Sequence, residues 1–197
     1  MLRVVLTGSI ATGKSTVLER FAARGIPVYS ADAAVHALYG GEAAALVETL
    51  FPGTVRDGAV DRKALSAALA REPDRMSELE EVIHPLVREK ATAFFEEAEL
   101  NGAELAVIEI PLFYETGTQY RVDTVVVTHC DPATQRQRVL ARPGMDAGKL
   151  DLILSRQLNQ EEKRARADYA IDTSGTMDDT IRATDAVIEA LRTEISR

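Results

Sequence analysis

The chain has 197 residues, 46% of them apolar and 27% charged, with 12 glycines and 7 prolines; this suits one core domain carrying insertions and excludes collagen-like, disordered and membrane-embedded classes. Its 31 acidic against 23 basic residues leave a net charge of −8, which disfavours nonspecific attraction to nucleic acid or anionic membranes, so an anionic ligand must be held by a local cluster of positive groups. No apolar run is long enough for a membrane span, residues 1–6 enter a Gly-rich turn without a signal pattern, and the single cysteine cannot close an internal disulfide; together these predict a cytoplasmic protein.

Residues 2–7, Leu-Arg-Val-Val-Leu-Thr, predict a first strand. It opens into Gly8-Ser9-Ile10-Ala11-Thr12-Gly13-Lys14-Ser15-Thr16, which fits G-x-x-x-x-G-K-[ST] between a strand and a helix. In such a P-loop the glycines let the backbone curl so that successive N–H groups face a phosphate chain, and the following helix adds its positive end. Lys14 is then expected to bridge the β- and γ-phosphates, and the Ser15 hydroxyl to bind Mg²⁺.

A helix from Lys14 to about Arg24, a turn at Gly25 and a strand over 26–30 return the chain to phosphate level. A right-handed crossover then sets this strand end beside the loop. There Asp32 is either a proton acceptor for an attacking hydroxyl or the N-cap of a helix from Ala33, and spacing alone leaves both open. About seventy residues separate this strand from the next, and helix-like segments near 42–50, 62–70 and 76–100 make them a helical insertion. Further strands are expected over 105–110, 123–128 and 169–171.

Residues 132–167, rich in Arg and Gln and interrupted at Pro143-Gly144, predict two helices joined by a hinge-like turn. Arg138 and Arg142 are four apart and so share a face on a helix, turned either to a polyphosphate or to solvent; Arg136 points elsewhere. Asp131 before Pro132 predicts a capping carboxylate, and Thr176-Met177-Asp178-Asp179 a capping box with Asp for Glu. His36, His84 and His129 have no partners at metal-ligand spacing, which argues against zinc, and Cys130 reads as a small buried apolar residue. Alternating strands and helices place the fold in the α/β class: a P-loop NTPase core with a five-stranded parallel sheet flanked by helices, plus a helical insertion and a helical lid.

With the P-loop, an ordered series of segments resembles the dephospho-CoA kinase family, the P-loop kinases that phosphorylate the ribose 3′-hydroxyl of dephospho-CoA. Ser30-Ala31-Asp32 is similar to its D-A-D, Asp57-Gly58-Ala59-Val60-Asp61-Arg62 to its d-G-x-l-d-R, and Ile83-His84-Pro85 contains its H-P. Pro111-Leu112-Phe113-Tyr114-Glu115 resembles P-L-L-F-E. Gln157 through Asp168 keeps the Q-to-A-D spacing, and Ile171-Asp172-Thr173-Ser174-Gly175 is similar to I-D-N-x-G.

The resemblance implies ATP and dephospho-CoA as small-molecule substrates, with Asp32 as general base and with Lys14 and the loop around Gly8, Ala11, Thr12, Gly13, Ser15 and Thr16 on ATP. It further implies that Arg142 reaches the phosphates from the lid, that Arg62, His84 and Leu112 lie on the dephospho-CoA side, and that Thr173 and Ser174 lie near adenine. Ser30, Pro143, Thr173 and Glu109 depart from the family pattern, where Asp, Asp, Asn and Asp are common. On this reading 1–30, 101–131 and 168–197 form the nucleotide-binding core, 31–100 the substrate insertion and 132–167 the lid. The rivals are another P-loop small-molecule kinase, acting on a nucleoside monophosphate or a sugar acid, and a nucleotide-dependent switch. A guanine-reading N-K-x-D motif does not occur, because the asparagines are Asn101 and Asn159 alone.

Overall fold

Val4, Val5 and Leu6 are wholly withdrawn from water in β1 (Leu2–Gly8), the strand that leads into the Gly-rich loop. The computed structural model describes residues 1–116 and 120–196; residues 117–119 and Arg197, which fall within the ranges expected for the core, lie outside the described residues. The chain divides into two units, Met1–Tyr29 with Phe95–Arg197, and Ser30–Phe94. From the loop, α1 (Lys14–Ala23) runs to Gly25, whose φ of +75° suits a residue without a Cβ, and β2 (Val28–Ser30) follows.

The second unit is helical. It holds α2 (Ala31–Tyr39), α3 (Ala44–Leu50), a hairpin of β3 (Val55–Arg56) and β4 (Ala59–Val60), α4 (Arg62–Arg71), and the larger part of α5 (Met76–Leu100). Its core gathers Leu38, Val47, Phe51, Leu65 and, at four-residue spacing along α5, Leu79, Ile83 and Val87. The hairpin has no counterpart in the sequence reading. Its signal was Asp57-Gly58, whose φ values of +50° and +78° give the two-residue turn whose twist matches antiparallel strands.

The first unit resumes with β5 (Leu105–Glu109), β6 (Thr124–His129), α6 (Pro132–Leu140), α7 (Ala147–Ser155), α8 (Gln160–Arg166), β7 (Tyr169–Asp172) and α9 (Met177–Ile195). The sheet order is β2-β5-β1-β6-β7, with β1 parallel to both β5 and β6, and β6 parallel to β7. Thus β5, not β2, is the neighbour of β1. All five β5 residues are buried, which suits an interior strand, whereas the three half-buried residues of β2 suit an edge. On one face α1 and α9 pack through Val17, Phe21, Ile188 and Leu191. Arg20 grips Asp185 through two bonds of 2.8 and 2.6 Å, and Arg24 reaches Asp185 at 2.7 Å and Glu189 at 2.6 Å.

Three helices, not two, occupy 132–167. The second break falls at the residues 156–159, where the Asn159 side chain accepts the Glu162 N–H and so restarts the chain as α8. Asp131 precedes α6 but its side chain makes no cap bond; its own N–H is donated to Ser174 Oγ at 2.9 Å. The expected capping box is present at α9, where Thr176 and Asp179 bond reciprocally.

Candidate active site

The loop after β1 holds its shape by close backbone approach and by threonine hydroxyls. A Cβ at Gly8, where φ is +152°, would collide with Thr128 Oγ1 and stand 2.7 Å from Thr12 Oγ1, so the chain admits only glycine there. Thr12 Oγ1 donates to Ser9 O at 2.9 Å or shares a proton with Thr128 Oγ1 at 2.8 Å. Between them Ala11 is buried at φ +59°, a conformation costing an L-residue about 1–2 kcal/mol, which the surrounding bonds must sustain. Gly13, at φ +82°, caps α1 without a side chain, and a Cβ there would come within 3.2 Å of Thr173.

Consequently the head of α1 is open. Its first turn carries no acidic residue of its own, Ser15 is exposed and Thr16 half-buried, so the helix itself supplies no carboxylate against its positive end. The Lys14 ammonium folds back over the loop and donates to Gly8 O at 3.0 Å and Ser9 O at 3.1 Å. That folds a cation onto the carbonyls of a Gly-rich loop at a helix N-terminus, the kind of segment that binds a phosphate chain.

Across β6 and β7 the sheet end is polar. Thr173 is 1% exposed; its hydroxyl lies 3.1 Å from Thr12 O and 3.2 Å from His129 O. Arg138 donates to that hydroxyl at 3.0 Å and to Thr173 O at 2.6 Å. Ser174 donates through both N–H and Oγ to Asp172, holding that carboxyl below the usual range. Burial, aided by the Arg164 charge, pushes His129 down despite nearby Asp172 and Asp131, and burial pushes the Cys130 thiol up. A cleft of about 640 Å³ opens here, lined by Ser9, His129, Asp131, Gln157, Arg164 and Ser174 among others.

Arg138 and Arg142 do not share a helix face. The helix α6 ends at Leu140 with Ala141 as cap, and exposed Arg142 follows, its N–H donated to Val139 O at 3.0 Å. Pro143 biases the residue before it away from helical backbone, which ends the helix short of Arg142. Arg138, meanwhile, is committed to Thr173.

Leu112 is 37% exposed on the turn after β5. From the same turn Glu115 enters the interior, where Oε1 accepts the Leu158 N–H at 2.9 Å and stands 2.7 Å from the ammonium of Lys163, a fully buried side chain. The sequence reading missed this pair. Lysine on an Arg- and Glu-rich helix carries no local sign that it will be buried.

In the second unit, Asp32 is exposed in the first turn of α2. It is not the helix cap: Ser30 is, its hydroxyl accepting the Ala33 N–H at 3.4 Å, because the helix begins two residues earlier than expected. His36, four residues after Asp32, lies on the same face of α2, and Arg62 Nη1 approaches its Nδ1 at 3.1 Å. Asp61 caps α4 by accepting the Lys63 and Ala64 N–H groups, which orients Arg62 at the first position of that helix. The four-residue spacing was the available signal for His36. His84 is half-buried within α5, next to Pro85. Among the described residues no three His, Cys, Asp or Glu side chains are grouped to hold a metal ion.

The family profile for dephospho-CoA kinase matches residues 2–179. The dephospho-CoA kinase of Brucella melitensis is 51% identical over 191 residues, covering 97% of this chain and 96% of its own, and that of Rhizobium etli is 49% identical over 197 residues, covering 100% and 97%. The solved dephospho-CoA kinase of Campylobacter jejuni superposes with a TM-score of 0.75 at 26% identity over 96% of both chains. With a P-loop at the head of α1 in a five-stranded sheet and half the residues shared along nearly the full length of named relatives, the chain belongs to the dephospho-CoA kinase family.

Proposed function

We propose that this protein transfers the γ-phosphoryl group of ATP to the ribose 3′-hydroxyl of dephospho-CoA, giving coenzyme A and ADP. The observation that carries the reading is the Gly8–Lys14 loop, with its lysine folded back onto the Gly8 and Ser9 carbonyls, in a chain matched to this family over residues 2–179. Relatives named for this activity at about half identity favour it over a kinase for nucleoside monophosphates or sugar acids.

Phosphoryl transfer needs alignment and charge neutralisation rather than covalent help. In this reading Lys14 leaves the carbonyls of Gly8 and Ser9 to meet the β- and γ-phosphates, while the loop amides of residues 11–16 hold the chain of phosphates. Asp32 accepts the proton of the attacking hydroxyl. Arg62, His84 and Leu112 contact dephospho-CoA, Ser174 borders adenine with buried Thr173 behind it, and Arg142, on the exposed turn of the 132–167 lid, supplies a second cation. The exposed Ser15 hydroxyl suits Mg²⁺, which keeps several waters and takes most other ligands from phosphates rather than from a protein cage. When bound, Mg²⁺ neutralises charge on the β- and γ-oxygens. Among the described residues no helix is long and apolar enough to cross a membrane, and a cytoplasmic location completes the reading.

The test is to incubate the purified protein with Mg-ATP and dephospho-CoA and to identify the 3′-phosphorylated product, with Lys14→Ala as control. Phosphorylation of a nucleoside monophosphate or sugar acid but not of dephospho-CoA would overturn the substrate. Nucleotide binding with no acceptor phosphorylated would favour a switch.

A further inference from the structure

Ile10, in the phosphate loop, has both of its main-chain polar groups taken by glutamine side chains far away in sequence. Its N–H is donated to Gln157 Oε1 at 3.0 Å, and its carbonyl accepts Gln135 Nε2 at 2.8 Å. Gln135 is 5% exposed, and its Oε1 accepts Gln160 Nε2 at 3.1 Å; Gln160 Oε1 in turn accepts the Cys130 N–H at 2.9 Å. The amide orientations follow from the backbone: a main-chain N–H needs an oxygen and a main-chain carbonyl needs an NH₂. The chain of bonds runs from the end of β6 through α8 and α6 to the loop.

The geometry points to Gln157 and Gln135 as positioning residues that hold the phosphate loop in its binding shape. The pinned residue directly precedes Ala11, which adopts a left-handed backbone that an L-residue leaves unless its neighbours are fixed. On the far side, Thr12 is fixed by Ser9 and Thr128. Release of Ile10 frees one end of this strained step, and the amides that follow lose their common direction. The glutamines touch the loop at Ile10 and act on nucleotide through it. The inference rests on the reading of this loop as the ATP site.

The donor and acceptor sense gives a test that side-chain size cannot mimic. Gln157→Met removes the acceptor for the Ile10 N–H; Gln157→Glu keeps one. Gln135→Glu, the same change in shape and charge, removes the donor to the Ile10 carbonyl and sets a carboxylate against it. We expect Gln157→Met to weaken ADP binding, measured by titration calorimetry, and to raise the KM for ATP by about tenfold, the cost of one unpaired, partly buried main-chain N–H. The KM for dephospho-CoA should stay within about twofold of wild type on the same argument. Gln157→Glu should recover most of the loss and Gln135→Glu should not. Thermal unfolding checks that each variant folds; should Gln135→Glu fail to, the Gln157→Met and Gln157→Glu pair decides alone. Wild-type ADP affinity in Gln157→Met, or equal deficits in Gln157→Met and Gln157→Glu, overturns the proposal. If Lys14→Ala also binds ADP as wild type does, the reading of the loop fails instead; if Lys14→Ala loses ADP and Gln157→Met does not, only this inference falls.

Discussion

Arg138 clasps Thr173 by two bonds, one to its hydroxyl at 3.0 Å and one to its carbonyl at 2.6 Å, and so fastens the turn after β7 to α6. Thr173 in turn abuts Gly13 and bonds Thr12 O, so the clasp backs the phosphate loop from the side of β7.

Replacing Arg138 by Ala removes both charge-assisted bonds. We predict a loss of stability of about 2 kcal/mol and a rise in the KM for ATP of about tenfold. Urea unfolding and steady-state kinetics read the two effects; unchanged values for both would show that the clasp holds nothing.

Asp32→Asn tests the proton acceptor. The exchange keeps the shape and a hydrogen-bonding carbonyl but removes the basic oxygen. Turnover should fall by about 10²-fold or more while ADP affinity stays within about twofold. Near-normal kcat in this variant would reject the role.

Lys163→Met strands the Glu115 carboxylate in the interior, where the ammonium now stands 2.7 Å away. A buried charge left without its partner costs about 3–5 kcal/mol. Adding Glu115→Gln should recover part of that loss, since the amide oxygen can still accept the Leu158 N–H. Denaturant midpoints decide: a double variant no more stable than Lys163→Met alone would contradict the charge argument.

Acid should loosen the packing of α1 on α9. The Arg20 bond, joined by Arg24, holds the Asp185 carboxyl below its ordinary value against the opposing effect of burial. A carboxyl depressed in the folded state contributes stability in full above its unfolded pKa of about 3.9, and that contribution is lost as pH falls through the lower folded value. The stability gap between wild type and Asp185→Asn should therefore be present at pH 7 and shrink below about pH 4. A gap independent of pH would assign the effect to shape rather than charge.

Much of the molecule is legible in the chain. The P-loop, all five sheet strands, α5 from Met76 to Leu100 and the Thr176 capping box were readable because each depends on residues within a few positions of one another: a contiguous motif, an apolar run, a helical period, a cap bond. Where local signals competed, the reading slipped. Asp32 stood open between cap and proton acceptor, and the cap alternative fails because Ser30, two residues earlier, begins the helix; the break after α7 carried neither Gly nor Pro to mark it.

Other features were decided only when distant segments met. Burial chose β5 over β2 as the neighbour of β1, since the strand with apolar residues on both faces gains more from an interior place. Arg138 and Thr173 are 35 residues apart, and Ile10 lies 125 and 147 positions from the glutamines that hold it. A polar side chain announces its capacity to bond but not its partner. The sequence by itself determined that a phosphate-binding loop would form after the first strand; the tertiary structure decided which side chains keep it in shape, because a buried amide is satisfied by whatever the fold brings within about 3 Å of it.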